Sequence, residues 1–136
     1  MFSPDGRWLA YMSNESGRNE VYVQPFPGPG GKWQISTGGG TELVWARNGR
    51  ELFYRNGDKM MVVDIQTQPT LAASTPRLLF EGSYERANNF RPNYDVTPDG
   101  QRFVMIKGSE ALQATQINVV LNWFEELKRR MPAGKQ

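Results

Sequence analysis

FSPDGRWLAYMSNESGRNEVYVQPF, residues 2–26, is the stretch on which the fold turns. Pro4 presets a backbone φ of about −65° for the first corner of a tight turn, and Asp5 can accept hydrogen bonds from nearby backbone N–H groups. Gly6 supplies the positive φ that sends the chain back. Trp8 to Met12 then form an apolar strand, SNESGRNE makes a polar loop, and VYV begins a second strand. The strand after the turn does not alternate cleanly between apolar and polar residues, so it is expected to be buried on both faces, as a strand between stacked sheets would be. Before the turn stand only Met1 and Phe2, where an incoming strand is expected, so the first unit reads as cut short.

The same order of turn, strand, loop and strand recurs twice. WARNGRELFYRNGDKMMVVDI occupies residues 45–65, and VTPDGQRFVMIKGSE, residues 96–110, is followed by QINVVLNW at 116–123. The turn residues are Pro4, Asp5 and Gly6 in the first unit, Asn48 and Gly49 in the second, and Pro98, Asp99 and Gly100 in the third. Their glycines lie 43 and 51 residues apart, the spacing of four-stranded propeller blades at about 40–50 residues each. KWQIST (32–37) and PRLLFEG (76–82) supply a further strand after the first two units. TELVWA (41–46) and PNYDV (92–96) lead into the second and third turns. The expected fold class is all-β: about three four-stranded antiparallel propeller blades at 1–38, 39–83 and 84–123, the first and last incomplete. FEELKRRMPAGK then predicts a short terminal helix within 124–136, with Glu125–Arg129 and Glu126–Arg130 pairs one helical turn apart.

These residues resemble the TolB-like, WD40-like (PD40) β-propellers, whose repeat runs Ser-Pro-Asp-Gly, apolar strand, Ser/Asn-Gly loop and an IYV-like strand. The resemblance covers the whole chain. STGGGTELVWARNGRELFYR with the C-terminal NVVLNWFEELKRR is similar to the end of propellers fused to bacterial Ser/Thr protein kinases. Ala46-Arg47-Asn48-Gly49 departs from the family's Ser-Pro-Asp-Gly, although Asn48 can serve the turn as Asp does. The resemblance implies a non-catalytic protein-binding or scaffolding module in the periplasm or outside the cell. The alternative is a fragment of a longer propeller enzyme, or of a kinase-fused sensor, with no activity of its own.

Composition narrows the chemistry. The chain has 136 residues, no His and no Cys, which excludes a Ser-His-Asp triad, a Cys-His pair and His- or Cys-ligated zinc within one chain. Asp5 and Asp99 share one repeat position and read as turn formers rather than acid–base groups. The glycines of PGPGGK and TGGGT open no helix, so they cradle no phosphate, and no EF-hand spacing suggests calcium. Neither a metal nor another cofactor is expected. Lys and Arg are scattered singly at a net charge of +2, which favours no nucleic acid. The apolar runs fall short of the roughly 20 residues that cross a bilayer. The sequon at Asn14 sits in a loop that wants Asn and Ser for its own turn.

Blade geometry would put the PDG turns at one end of the sheets, with the loops between second and third strands and the inter-blade connections at the other. That second end carries Arg18 and Glu42, and then SYERANNFRPN (83–93), whose extra length accounts for the longer repeat. Tyr84, Arg86, Asn89, Phe90 and Arg91 mix aromatic and Arg groups as binding hot spots do, so this surface is the expected site for a protein or peptide ligand. Three blades in an open arc would also expose side chains such as Trp8, Tyr11, Trp45, Phe53 and Phe103. The expected remedy is a homodimer of two arcs closing one ring, or completion by the rest of a longer propeller.

Overall fold

The computed structural model describes residues 1–87 and 91–108. Every regular element among them is a strand: β1 Trp8–Ser13, β2 Glu20–Pro25, β3 Trp33–Gln34, β4 Thr41–Trp45, β5 Glu51–Asn56, β6 Lys59–Gln66, β7 Ala72–Ala73, β8 Arg77–Glu81, β9 Tyr94–Val96 and β10 Phe103–Met105. The expected strand at 116–123 and the terminal helix lie outside the described residues.

All pairings are antiparallel and divide into three sheets. Sheet 1 is β1-β2-β3, and Met1 to Ser3 lie along the side of β1 away from β2. Phe2 bridges Leu9, and Met1 and Ala10 exchange backbone hydrogen bonds of 2.7 and 2.9 Å. Sheet 2 runs β4-β5-β6 and then splits: the start of β6 pairs with β8, and its end, Ile65–Gln66, pairs with β7. Sheet 3 is the β9-β10 pair. β7 had no sequence signal, because Ala72–Ala73 has low strand propensity; it forms because β6 runs far enough to pair with it.

Sheet 2 is the centre of the molecule. Alternation along β5 turns Leu52 and Tyr54 toward sheet 1, where they join Ala10, Val21, Val23, Trp45 and Val63 in one core. Phe53 points the other way, into a second core with Val44, Met60, Val62, Tyr94 and Val96, edged by Phe80, Phe103 and Met105. Leu52 and Phe53 are essentially inaccessible, and burial of each stabilises the fold by about 1.5–3 kcal/mol. Burial on both faces therefore holds for β5. It does not hold for β1, where Ala10 alone is buried and the other five residues keep partial exposure, because among the described residues only one face of sheet 1 is covered. The expectation that Trp45 and Phe53 line open faces is likewise corrected, since both lie between sheets. The exposed large apolar residues are elsewhere, among them Phe2, Phe26, Leu78, Val104 and Ile106.

The three turns share one backbone construction. Gly6, Gly49 and Gly100 have φ of 71°, 70° and 73°, and their N–H groups donate to Ser3, Ala46 and Thr97 carbonyls at 2.8–2.9 Å. Ser3, Ala46 and Thr97 in turn donate to the carbonyls of Trp8, Glu51 and Arg102. The side chains of Asp5, Asn48 and Asp99 each accept the N–H two residues on, at 3.2, 2.8 and 3.0 Å. Asn48 thus does the work of Asp. The carboxyls of Asp5 and Asp99 are held below the usual range, first by the Ser3 and Thr97 hydroxyls and then by those N–H groups.

Candidate functional site

The first and second turns adjoin. A cleft of about 890 Å³ has Pro4, Asp5, Asn48 and Gly49 on one wall and the segment around Asp64–Gln68 on the other. Two of its acidic residues, Glu51 and Asp64, each lie 3.9 Å from Arg77. The loops between paired strands and the connections between sheets gather elsewhere, around two adjoining clefts that hold the more distinctive chemistry.

The connection from sheet 1 to sheet 2 is STGGG, residues 36–40, and Glu20 at the start of β2 fastens it. One carboxylate oxygen accepts the N–H groups of Gly38 and Gly39, both at 2.9 Å, and the other accepts the Ser36 hydroxyl. Ser36 also accepts the Val21 N–H at 2.8 Å. Gly38 and Gly39 have φ of 102° and 113°, which few side chains tolerate; this backbone turns its N–H groups onto one anion. Burial alone would raise the Glu20 carboxyl, but the Ser36 hydroxyl, the two glycine N–H groups and Arg18 together hold it below its ordinary value. Burial, and then the Glu20 charge, push the Tyr54 phenol up to about 12.

A buried ion pair fixes the connection from sheet 2 to sheet 3. Arg55, at the end of β5, is 2% exposed. Its guanidinium donates to the carbonyls of Glu85 at 2.8 Å and Tyr84 at 3.3 Å, and lies 4.0 Å from the Glu42 carboxylate. Glu42 also accepts the Asn93 N–H at 3.1 Å, while its carbonyl accepts the Tyr94 hydroxyl at 2.7 Å. Glu42 holds a φ of 50° where β4 slips register against β5 between Thr41 and Val44. Left-handed backbone at a side chain with a Cβ costs about 1–2 kcal/mol, offset here by three contacts that need that geometry. Tyr94 titrates far above the usual phenol range, raised by burial and the Glu42 charge against an opposing Arg55, with Asp95 adding to the rise.

Two clefts flank these anchors. The larger, about 730 Å³, is lined by Met1, the consecutive residues Ala10 to Asn14, Asn19, Glu42, Leu43, Arg91 and Pro92. The smaller, about 250 Å³, shares Met12, Asn19 and Glu42 with it and adds Thr41, Gly57, Arg86 and Ala87. Of the residues expected at a binding surface, Glu42, Arg86 and Arg91 therefore line this common trough, with Arg86 paired to Asp58 at 3.0 Å. Arg18 lies apart, 3.5 Å from Glu20. Tyr84 is half-buried edge-on against Phe80, 6.1 Å between ring centroids, so its ring packs where a displayed contact was expected. Asn89 and Phe90 lie outside the described residues.

Sequence reasoning missed Glu20, Arg55 and Met12. An Arg closing the apolar strand ELFYR reads as a solvated end, and its burial depends on a connection 30 residues away. Glu20 had one local hint: a run of glycines needs an anchor. Met12 carried no signal beyond its place in an apolar strand. A scan against protein-family models finds no match for this chain, and a search of curated proteins finds none either.

Proposed function

We propose that the chain is a partial β-propeller of the TolB-like, WD40-like type, three blades in extent, acting as a non-catalytic protein-binding module and closing a ring with a second copy. The observation that carries this reading is the pair of cores on the two faces of sheet 2, joined to three turns of one construction. Consecutive antiparallel sheets stacked face to face, each carrying the same turn between paired segments, are what blades require. A terminal helix over 124–136 belongs to the same reading.

The outer sheets favour assembly over solitude. Phe2 and Phe26 stand half exposed and edge to face, 4.8 Å apart, in the first unit, and Val104 and Ile106 are exposed in the third. Apolar surface of this kind associates in water, and a two-fold partner offers a closed solution. Arg86 and Arg91, presented by a connection that Arg55 anchors, suit an acidic or polar protein surface. Static light scattering tests the assembly: twice the chain mass of 15.5 kDa is expected. A folded monomer at micromolar concentration refutes ring closure by a second copy.

A further inference from the structure

We propose that Asn56–Gly57, at the tip of the β5–β6 hairpin, is a spontaneous deamidation site, and that the charge gained there loosens the STGGG connection. The inference needs neither ring closure nor a bound partner. The sequence holds two Asn-Gly pairs, Asn48–Gly49 and Asn56–Gly57, each preceded by Arg. In such a pair the glycine nitrogen, uncrowded by a side chain, loses its proton and attacks the Asn Cγ. The new N–C bond closes a five-membered cyclic imide, the Cγ–Nδ2 bond breaks, and Nδ2 leaves as ammonia. Solvent water then opens the imide at either carbonyl, giving Asp or an isoaspartyl link, with nothing oxidised or reduced. Local sequence offers both pairs the same chemistry, so the fold decides between them.

At Asn48 the fold holds both reacting groups. The Gly49 N–H donates to the Ala46 carbonyl at 2.9 Å, and the Asn48 Oδ1 accepts the Arg50 N–H at 2.8 Å. Deprotonating that nitrogen and swinging that carboxamide both require the turn to open. The hairpin tip is built otherwise. Asn56 pairs with Lys59, so Gly57 and Asp58 form a two-residue loop, in which the ladder closes at the flanking pair and the corner N–H points outside it. Gly57 is exposed, and its N–H meets no backbone acceptor among the described residues. The place of the Asn56 carboxamide gives the reaction its consequence. Its Oδ1 lies 3.0 Å from where a Cβ on Gly39 would stand, and Gly39 donates its N–H to the Glu20 carboxylate at 2.9 Å. Deamidation therefore sets a second carboxylate beside the one that fastens residues 36–40, where like charges repel. Arg86, the cation at that tip, is already paired with Asp58 at 3.0 Å.

The test incubates the intact chain in warm, mildly alkaline buffer and follows both Asn-Gly peptides by mass spectrometry, with a urea-unfolded sample as the reference. In urea the two sites should deamidate at similar rates. In the folded chain Asn56 is expected to react about fivefold faster than Asn48, the worth of one net hydrogen bond that must open first. Equal rates in the folded chain, faster loss at Asn48, or a folded chain in which neither site reacts overturns the site. The consequence is read on Asn56→Asp, one product of the reaction. Amide exchange at Gly38 and Gly39 is expected to quicken about threefold, the size of one exposed charge interaction. Asn48→Asp should leave that exchange unchanged, since Asp5 and Asp99 fill the same place in the other turns. Exchange at the parent rate in Asn56→Asp overturns the loosening and leaves mass spectrometry to judge the site.

Discussion

Arg55→Met is the sharpest probe of how the connection between sheets 2 and 3 is held. The substitution keeps the length of the apolar stem and removes a guanidinium that is 2% exposed. Three contacts go with it: the Glu85 carbonyl at 2.8 Å, the Tyr84 carbonyl at 3.3 Å and the Glu42 carboxylate at 4.0 Å. Removing one partner of a buried pair costs about 3–5 kcal/mol, because the other charge is left without compensation. Two features bring the expectation to the lower end. Glu42 keeps the Asn93 N–H, and Tyr84 and Glu85 lie on a partly exposed segment whose carbonyls can turn to water. About 3 kcal/mol is therefore expected from urea denaturation, with an unchanged denaturant slope. Glu42→Met in the Arg55→Met background should restore about 1–2 kcal/mol, since an apolar pair replaces a lone buried anion. A single-variant loss below about 1 kcal/mol, or a double variant as unstable as the sum of the singles, refutes the pairing. Amide exchange across residues 82–87 should quicken in the single variant while β5 and β6 stay protected.

Two further predictions follow from the turns and the STGGG connection. The Glu20 carboxyl is depressed in the folded state, so its stabilisation is present above its unfolded value of 4.5 and fades as pH falls through the folded value. Stability measured from pH 7 to 3 should decline in the acid limb, and Glu20→Gln, about 2 kcal/mol less stable at pH 7, should flatten that limb; equal slopes in the two proteins count against the clamp. Gly49→Ala should cost about 1 kcal/mol through its φ of 70°, since an added Cβ finds nothing nearer than Pro4 at 3.7 Å and strain is the whole effect. Melting temperature reports it, and an unchanged value argues against the left-handed turn.

What could be read from the sequence was what its residues decide locally. Pro4, Asp5 and Gly6 encode a turn within four positions, and Asn48-Gly49 encodes the same turn without Pro, so the strands on either side fell close to their observed places. Both burial patterns of strands were legible as patterns, but which sheets cover which faces was not: β1 and β5 look alike in sequence, and among the described residues β5 has neighbours on both sides while β1 does not. The buried hydrogen bonds of Glu20 and Arg55 were hidden for the same reason. Glu20 meets Gly38 and Gly39 across 18 and 19 residues, and Arg55 meets Glu85 across 30; no local rule ties those positions. At the candidate site, Glu42, Arg86 and Arg91 were named for their charge and loop position and do share a trough. Met12, which lines both clefts, was invisible there, because nothing local in an apolar strand marks which residue will border a cleft.

Among the described residues, sheets 1 and 3 pair strands adjacent in sequence, β6 of sheet 2 pairs with both β7 and β8, and successive sheets are joined through residues 36–40 and 82–93. Among the described residues no strand leaves its own sheet to pair within another. The chain is therefore modular along its length, with coupling limited to neighbouring layers. Duplicating or removing a unit between equivalent glycines, Gly6 to Gly49, changes the number of layers without rerouting any strand. Length in such a molecule is a variable that evolution or an engineer can change in steps, provided each new layer inherits its turn and its buried clamp.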